Sequence, residues 1–149
     1  MSIMSQDTSL KPQDRQDALE KLVPKLDLCK QIPPGAFENS ALVWSYSCDK
    51  RKTEPFIEER DCIDFCRKGM VNAPPVYPAP TLEEILSELI LFGEPCCFWQ
   101  GGFYVRDDYG NEEYDMVNAS TAGLKLWLRL NAERHKSDQS DTDRKGSEL

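Results

Sequence analysis

The sequence predicts an α+β protein in which three helices pack on one face of a small, mainly antiparallel sheet. Three observations lead to this fold class: a capped amphipathic helix after Thr81, a Gly101-Gly102 turn between two apolar runs, and an alternating apolar segment at 41–48. Short hairpins join antiparallel strands, and a helix with one apolar stripe covers one sheet face. The predicted order is α-β-β-α-β-β-(β)-α.

The sequence contains signals for the start, the amphipathic body and the end of the helix after Thr81. Thr81 and Glu84 have the spacing of a capping box. Gly93 and Pro95 then favour termination. The predicted buried stripe comprises Leu82, Ile85, Leu86, Leu89 and Ile90.

Ahead of it, residues 1–11 are polar and predicted to be flexible, and a helical pattern starts near Asp14. Pro24 interrupts that pattern, so either the helix kinks there or a second short helix begins with Pro24 in its first turn. The segment 41–48 predicts a strand with one buried face, which carries Leu42, Trp44 and Tyr46. Residues 53–59 predict a return strand, which Pro55 restricts to a sheet edge. Residues 61–68 are ambiguous, and the proline-rich segment 72–80 predicts an extended connection.

The C-terminal half predicts a Gly-Gly hairpin, a further turn near Gly110 that allows another strand at 114–117, and a last helix capped by Asn118 or Ser120. From Lys136 the chain is polar and predicted to be disordered, which leaves a single domain over 12–135. Two successive helix–hairpin units leave an internal duplication open. One contiguous core is expected from Trp44, Ile85, Leu89, Phe98, Phe103, Leu124 and Trp127.

Composition argues against several classes of function. A formal charge of −8 and a pI of 4.7 disfavour direct nucleic-acid binding and anionic membranes. No apolar run approaches the ~20 residues of a membrane span, and the first ten residues do not resemble a signal peptide. We therefore expect a cytoplasmic protein whose six cysteines are reduced.

No residue pattern points to catalysis, a metal or a cofactor. Cys62 and Cys66 are four apart, but adjacent Cys96 and Cys97 would point to opposite faces of a strand, which disfavours a zinc site. The single histidine, His135, stands at the start of the polar tail. No glycine-rich loop enters a helix to hold phosphate. A small enzyme or metal-dependent domain that uses cysteine and carboxylate groups remains the alternative to an interaction protein.

The most uneven charge in the sequence lies between Arg106 and Asp115. A calcium loop is disfavoured there, since Gly110 stands third after the first aspartate rather than at the sixth place of an EF-hand. Two interpretations remain: a solvated hairpin tip, or an acidic surface for a basic protein partner. The candidate surface comprises Asp107, Asp108, Glu112, Glu113 and Asp115.

Two segments carry a resemblance to other proteins: Pro78-Ala-Pro-Thr-Leu-Glu-Glu-Ile85 and Thr121-Ala-Gly-Leu-Lys-Leu-Trp-Leu128. Together they resemble a set of small uncharacterised proteins encoded by gut bacteria, their prophages and mobile elements. The resemblance implies an intracellular α+β protein of mobile-element origin. It implies no activity and no catalytic residue, so the expected function is that of a phage or mobile-element accessory protein acting through protein–protein contact.

Overall fold

The computed structural model describes residues 11–47 and 54–147, with the backbone alone for Pro12 and for 135–147. The fold is α+β, as predicted, but the described residues form five helices and two three-stranded antiparallel sheets rather than three helices and one sheet. The elements in chain order are α1 (Pro12–Glu20), α2 (Leu26–Cys29), β1 (Leu42–Tyr46), β2 (Pro55–Glu59), α3 (Arg60–Cys66), β3 (Val76–Pro78), α4 (Leu82–Leu89), β4 (Cys96–Trp99), β5 (Phe103–Arg106), β6 (Glu112–Asp115) and α5 (Ala119–Ser147).

The first sheet has the order β2-β1-β3, so β2 is an edge strand as Pro55 predicts. The proline-rich connection was predicted to be extended, and part of it is the third strand of this sheet. Trp44 of β1 pairs with Ile57 on one side and Tyr77 on the other. Arg67, at the end of α3, holds β3 in place because its guanidinium donates to the carbonyls of Tyr46 and Pro74.

Strand β1 is buried on both faces, whereas the alternation predicts a single buried face. Val43 and Ser45 are as inaccessible as Trp44 on the opposite side. The reason is that α3 contacts β1, and Arg67 donates to the Ser45 hydroxyl at 2.6 Å. A short helix whose sequence is ambiguous therefore covers the second face. Cys48, the predicted end of this strand, lies outside the described residues.

The second sheet is the meander β4-β5-β6, and both predicted hairpins are present, but the third strand lies at Glu112–Asp115 rather than at 114–117. Because Trp99 pairs with Phe103, the first loop has three residues, and only Gly101 has a positive φ, of 70°. Gly102 is required for a different reason. A Cβ there would lie 2.1 Å from the Tyr114 ring.

Helix α4 begins with the complete capping box of Thr81 and Glu84, as predicted, but Ile90 of the predicted buried stripe follows the end of the helix and is exposed. Helix α5 packs against α4, β5 and β6, and Gly123 allows the close approach to α4, since a Cβ there would stand 3.0 Å from Ile85. Of the two predicted caps for α5, Asn118 accepts the Thr121 N–H at 2.6 Å. The α5 backbone is helical to Ser147, and the predicted boundaries of the domain and of the polar tail stay predictions.

The N-terminal pattern breaks into two helices, and Pro24 precedes the second one instead of standing in its first turn. Pro24 is buried, and its carbonyl accepts the Trp44 indole N–H at 3.0 Å. The N-terminal helices are thereby joined to the middle of the first sheet.

One core cluster takes side chains from both sheets and from α4 and α5. Phe98 and Phe103 were predicted to belong to it, and this is wrong. Val105 is on the sheet face that packs against α5. Phe98 pairs with Tyr104 on the opposite face, so it points away from the core. Phe103 is only half-buried. The buried members are Val23, Cys29, Trp44, Ile57, Ala79, Ile85, Leu89, Val105, Ala122, Leu124, Leu126, Trp127 and Leu130.

Candidate functional site

Asp107, the first of the predicted site residues, builds the β5–β6 turn. Its side chain is buried, and Oδ1 accepts the N–H groups of Tyr109 at 2.9 Å and Asn111 at 2.8 Å. Its Oδ2 accepts the Asn111 side-chain amide at 2.8 Å. Aspartate commonly bonds to backbone groups two residues onward in this way. The carboxylate is therefore occupied inside the turn.

Asp115 is also buried and organises the entrance to α5. Its Oδ2 accepts the N–H groups of Val117 and Asn118, both at 2.9 Å, and Oδ1 lies 3.5 Å from the Lys125 ammonium. Burial alone would raise the pKa of Asp115. The two N–H groups and Lys125 outweigh burial, so the pKa is lowered and the group stays ionised.

The other three predicted residues also have partners, and they do not share one face. Glu112 and Glu113 are neighbours on β6 and so point to opposite sides of the sheet. Glu112 pairs with Arg106 at 2.8 Å, and Glu113 pairs with Arg129 of α5 at 3.1 Å. Asp108 accepts the Glu94 N–H at 2.9 Å. The structure thus does not gather the five carboxylates into a single acidic surface.

The cysteines do not converge. Cys62 and Cys66 are on α3, Cys96 and Cys97 are on β4, and among the described residues no three cysteine, histidine or acidic side chains are arranged to hold a metal. Burial raises the pKa of Cys29 to about 12, so that thiol stays protonated in the core. Burial also raises the pKa of Cys97. The prediction that the protein needs no metal stays a prediction.

Sequence reasoning missed an acidic cleft between the loop after α2 and the outer side of α4. The cleft has a volume of about 330 Å³ and contains three glutamates but no lysine or arginine. None of these glutamates forms an ion pair within the described part of the chain. The residues that line it are Gly35, Phe37, Glu38, Asn39, Ser40, Glu84, Ser87 and Glu88.

Glu84 fixes the position of the loop against α4. Its Oε1 accepts the Thr81 N–H at 2.8 Å, and its Oε2 accepts the Ala41 N–H at 3.2 Å. Glu84 therefore serves the helix cap and the loop together. The carboxylates of Glu38 and Glu88 accept no hydrogen bond from any described residue, so they keep their full capacity for a ligand.

The loop itself has an unusual backbone, which places Glu38 and Ser40 at the cleft. Phe37 has a positive φ of 56°, and its ring packs edge-on against Trp127 at 4.8 Å. Ser40 is buried, and its hydroxyl has no hydrogen-bond partner. A buried hydroxyl without a partner costs free energy, so Ser40 is a strained position in this loop.

An apolar groove of about 590 Å³ lies elsewhere, between the N-terminal ends of α4 and α5. Leu22, Leu82, Phe103 and Val117 line it, and Phe103 also packs against Trp99 at 4.9 Å. The titratable residues that line it are Lys21 and Glu83.

No protein-family model, curated protein or solved structure matches the chain. Any inference about its function therefore depends on the fold and the surfaces described above. Within 11–47 and 54–147, no helix combines the length and the apolar character needed to cross a bilayer.

Proposed function

We propose that this protein is a cytoplasmic accessory protein of a phage or mobile element that acts by binding a basic protein partner, with no chemistry of its own. The observation that carries the proposal is the acidic cleft, which has three carboxylates and no cation among its lining residues. The resemblance of the α4 and α5 segments to proteins of prophages and mobile elements supports the proposed phage or mobile-element origin.

The cleft suits the end of one lysine or arginine side chain. Its volume is at the lower end of the range for ligand pockets, so it admits a side chain rather than a folded element. An ammonium group has three donors, and a guanidinium has five. The carboxylates of Glu38 and Glu88 are free to accept them.

The hairpin carboxylates have a different part in this proposal. Asp107, Glu112, Glu113 and Asp115 are held in hydrogen bonds or ion pairs, so they do not supply contacts. They still contribute to a net charge of −8, which attracts a basic partner over a Debye length of ~8–10 Å. In this proposal the cleft glutamates contact the basic partner, and the hairpin carboxylates only help to attract it from a distance.

The test is a titration of a fluorescent lysine- and arginine-rich peptide at low salt. The variant Glu38→Gln/Glu88→Gln removes two charges from the cleft and leaves the capping residue Glu84 intact. An exposed ion pair contributes about 0.2–1 kcal/mol and a half-buried one more, so we expect roughly a three- to tenfold weaker affinity.

Asp108→Asn/Glu112→Gln is the matched control, because it removes the same total charge from the hairpin. We expect it to change the peptide affinity by less than about twofold. Equal affinity of the wild type and the cleft variant, or equal losses in the two double variants, would refute the assignment of the cleft. No binding of the peptide by the wild type at low salt would refute the proposed function itself.

A further inference from the structure

The two sheets have four outer edges among the described residues, and three of them are protected against another strand. On β2, the side-chain amide of Gln16 pairs with the backbone of Ile57 as a strand would. It donates to the carbonyl at 2.7 Å and accepts the N–H at 2.8 Å. Pro55 removes a further donor from this edge.

The edges at β3 and β6 are protected by other means. Strand β3 has only three residues and ends at Pro78. Strand β6 carries Glu112, Glu113 and Asp115 within four residues, so an identical strand beside it would bring like charges together. Short length, proline and charge are the usual devices that keep sheet edges from pairing.

Strand β4 is also short, at four residues, but it has neither of the other two devices, proline and charge. It pairs with β5 alone, and its sequence Cys96-Cys97-Phe98-Trp99 contains no charge and no proline. Trp99 has 64% of its surface exposed, and both cysteines are exposed as well. An uncharged, exposed edge of this kind is a template for another strand.

We propose that β4 is the surface through which two copies of this chain associate, by antiparallel pairing of β4 with β4 of the second copy. The pairing joins two meanders into one six-stranded sheet and brings no charged side chains of β4 into apposition. It also extends the aromatic row in which Phe98, Tyr104 and Tyr114 contact one another at 5.0 and 4.8 Å.

A second copy fits β4 better than an open-ended array does. Each chain has one unprotected edge among its described strands, so pairing across a two-fold axis uses both free edges and closes the assembly at two. The net charge of −8 on each copy opposes association, but salt at physiological strength screens it beyond ~8 Å.

The experiment measures mass against concentration by sedimentation or light scattering, with reductant present so that no disulfide contributes. We expect a species of twice the 17.0 kDa chain mass to grow with concentration. Trp99→Lys places a charge at the new interface and should raise the dimer dissociation constant at least tenfold. Val76→Lys, on the protected β3 edge, is the matched control and should leave it unchanged.

A second variant keeps the test decisive if Trp99→Lys does not fold. Cys96→Glu faces Arg106 within its own sheet, which favours the monomer fold, while it adds a negative charge from each copy to the β4–β4 interface. Hydrogen exchange supplies an independent readout: β4 amides should exchange more slowly as concentration rises, and β6 amides should not. A monomer at ~1 mM, a dimer that survives both variants, or β4 protected only by a different protein would overturn the proposal.

Discussion

Asn118→Ala should be one of the most damaging single changes outside the apolar core. The Asn118 side chain is buried and makes three hydrogen bonds. Its amide donates to the carbonyls of Glu20 at 3.1 Å and Val23 at 2.9 Å, and its oxygen caps α5 through Thr121. Asn118 therefore links the segment between the two N-terminal helices to the start of α5 through hydrogen bonds.

The size of the loss follows from these bonds. Removing an N-cap side chain costs ~0.5–2 kcal/mol, and a buried carbonyl left without a donor costs ~1–3 kcal/mol. Val23 is fully buried, whereas Glu20 is exposed and can turn to water, so we expect a total loss of about 2–5 kcal/mol in the free energy of unfolding. That is a large part of the 5–15 kcal/mol typical of a domain.

Urea unfolding followed by tryptophan fluorescence measures this loss. Two further variants serve as comparisons. Asn118→Asp keeps the cap acceptor but turns a carboxylate oxygen toward the two carbonyls, so it should cost at least as much as the loss of the two donors. Asn111→Ala, which removes one bond at the hairpin, is the control and should cost less than about 1.5 kcal/mol. A loss below about 1 kcal/mol for Asn118→Ala, with an unchanged m-value, would refute the reasoning.

Three further predictions concern the core, the hairpin and acid stability. Trp127→Ala should cost about 3–5 kcal/mol in a denaturant titration, because the side chain is 5% exposed and packs on Phe37; a loss under about 1 kcal/mol would contradict its place in the core. Gly102→Ala should cost about 1–3 kcal/mol, because its Cβ would displace the Tyr114 ring, and a neutral effect would show that the ring moves freely. Asp115, whose pKa is lowered by folding, stabilises the protein above about pH 4 and loses this contribution as the pH falls through its folded pKa. Asp115→Asn should therefore flatten the acid limb of a stability–pH curve, and an unchanged limb would exclude Asp115 as its source.

The elements that sequence reasoning predicted are those with local signals. The capping box of α4 involves residues three apart, and the Gly101-Gly102 turn joins strands that are adjacent in the chain. Strand β3 was missed because it has only three residues, one of which is a proline. It is a strand only because it pairs with β1, which lies more than thirty residues earlier in the chain. Arg67, whose role no local pattern reveals, links Pro74, just before β3, to the end of β1.

The acidic cleft was missed for the same physical reason. Glu38 and Glu88 come together only after the 35–41 loop docks on α4, through the bond from the Ala41 N–H to Glu84. The sequence shows Glu84 as a capping residue, which it is, but it does not show that the same carboxylate holds a loop from the other half of the chain. The left-handed backbone at Phe37, which turns this loop, is not signalled by a glycine or an asparagine.

The density of charge along the sequence is a poor guide to charge that is free to bind. The segment from Asp107 to Asp115 is the most acidic in the chain, but strand alternation separates Glu112 from Glu113, and α5 brings Arg129 to the second of them. A carboxylate has about four sites that can accept hydrogen bonds, and Asp107 and Asp115 each use theirs for two backbone N–H groups and one side chain. Unused acceptor capacity, rather than the number of acidic residues, therefore decides where a basic side chain gains most, and this favours a cleft assembled from distant glutamates over the acidic hairpin.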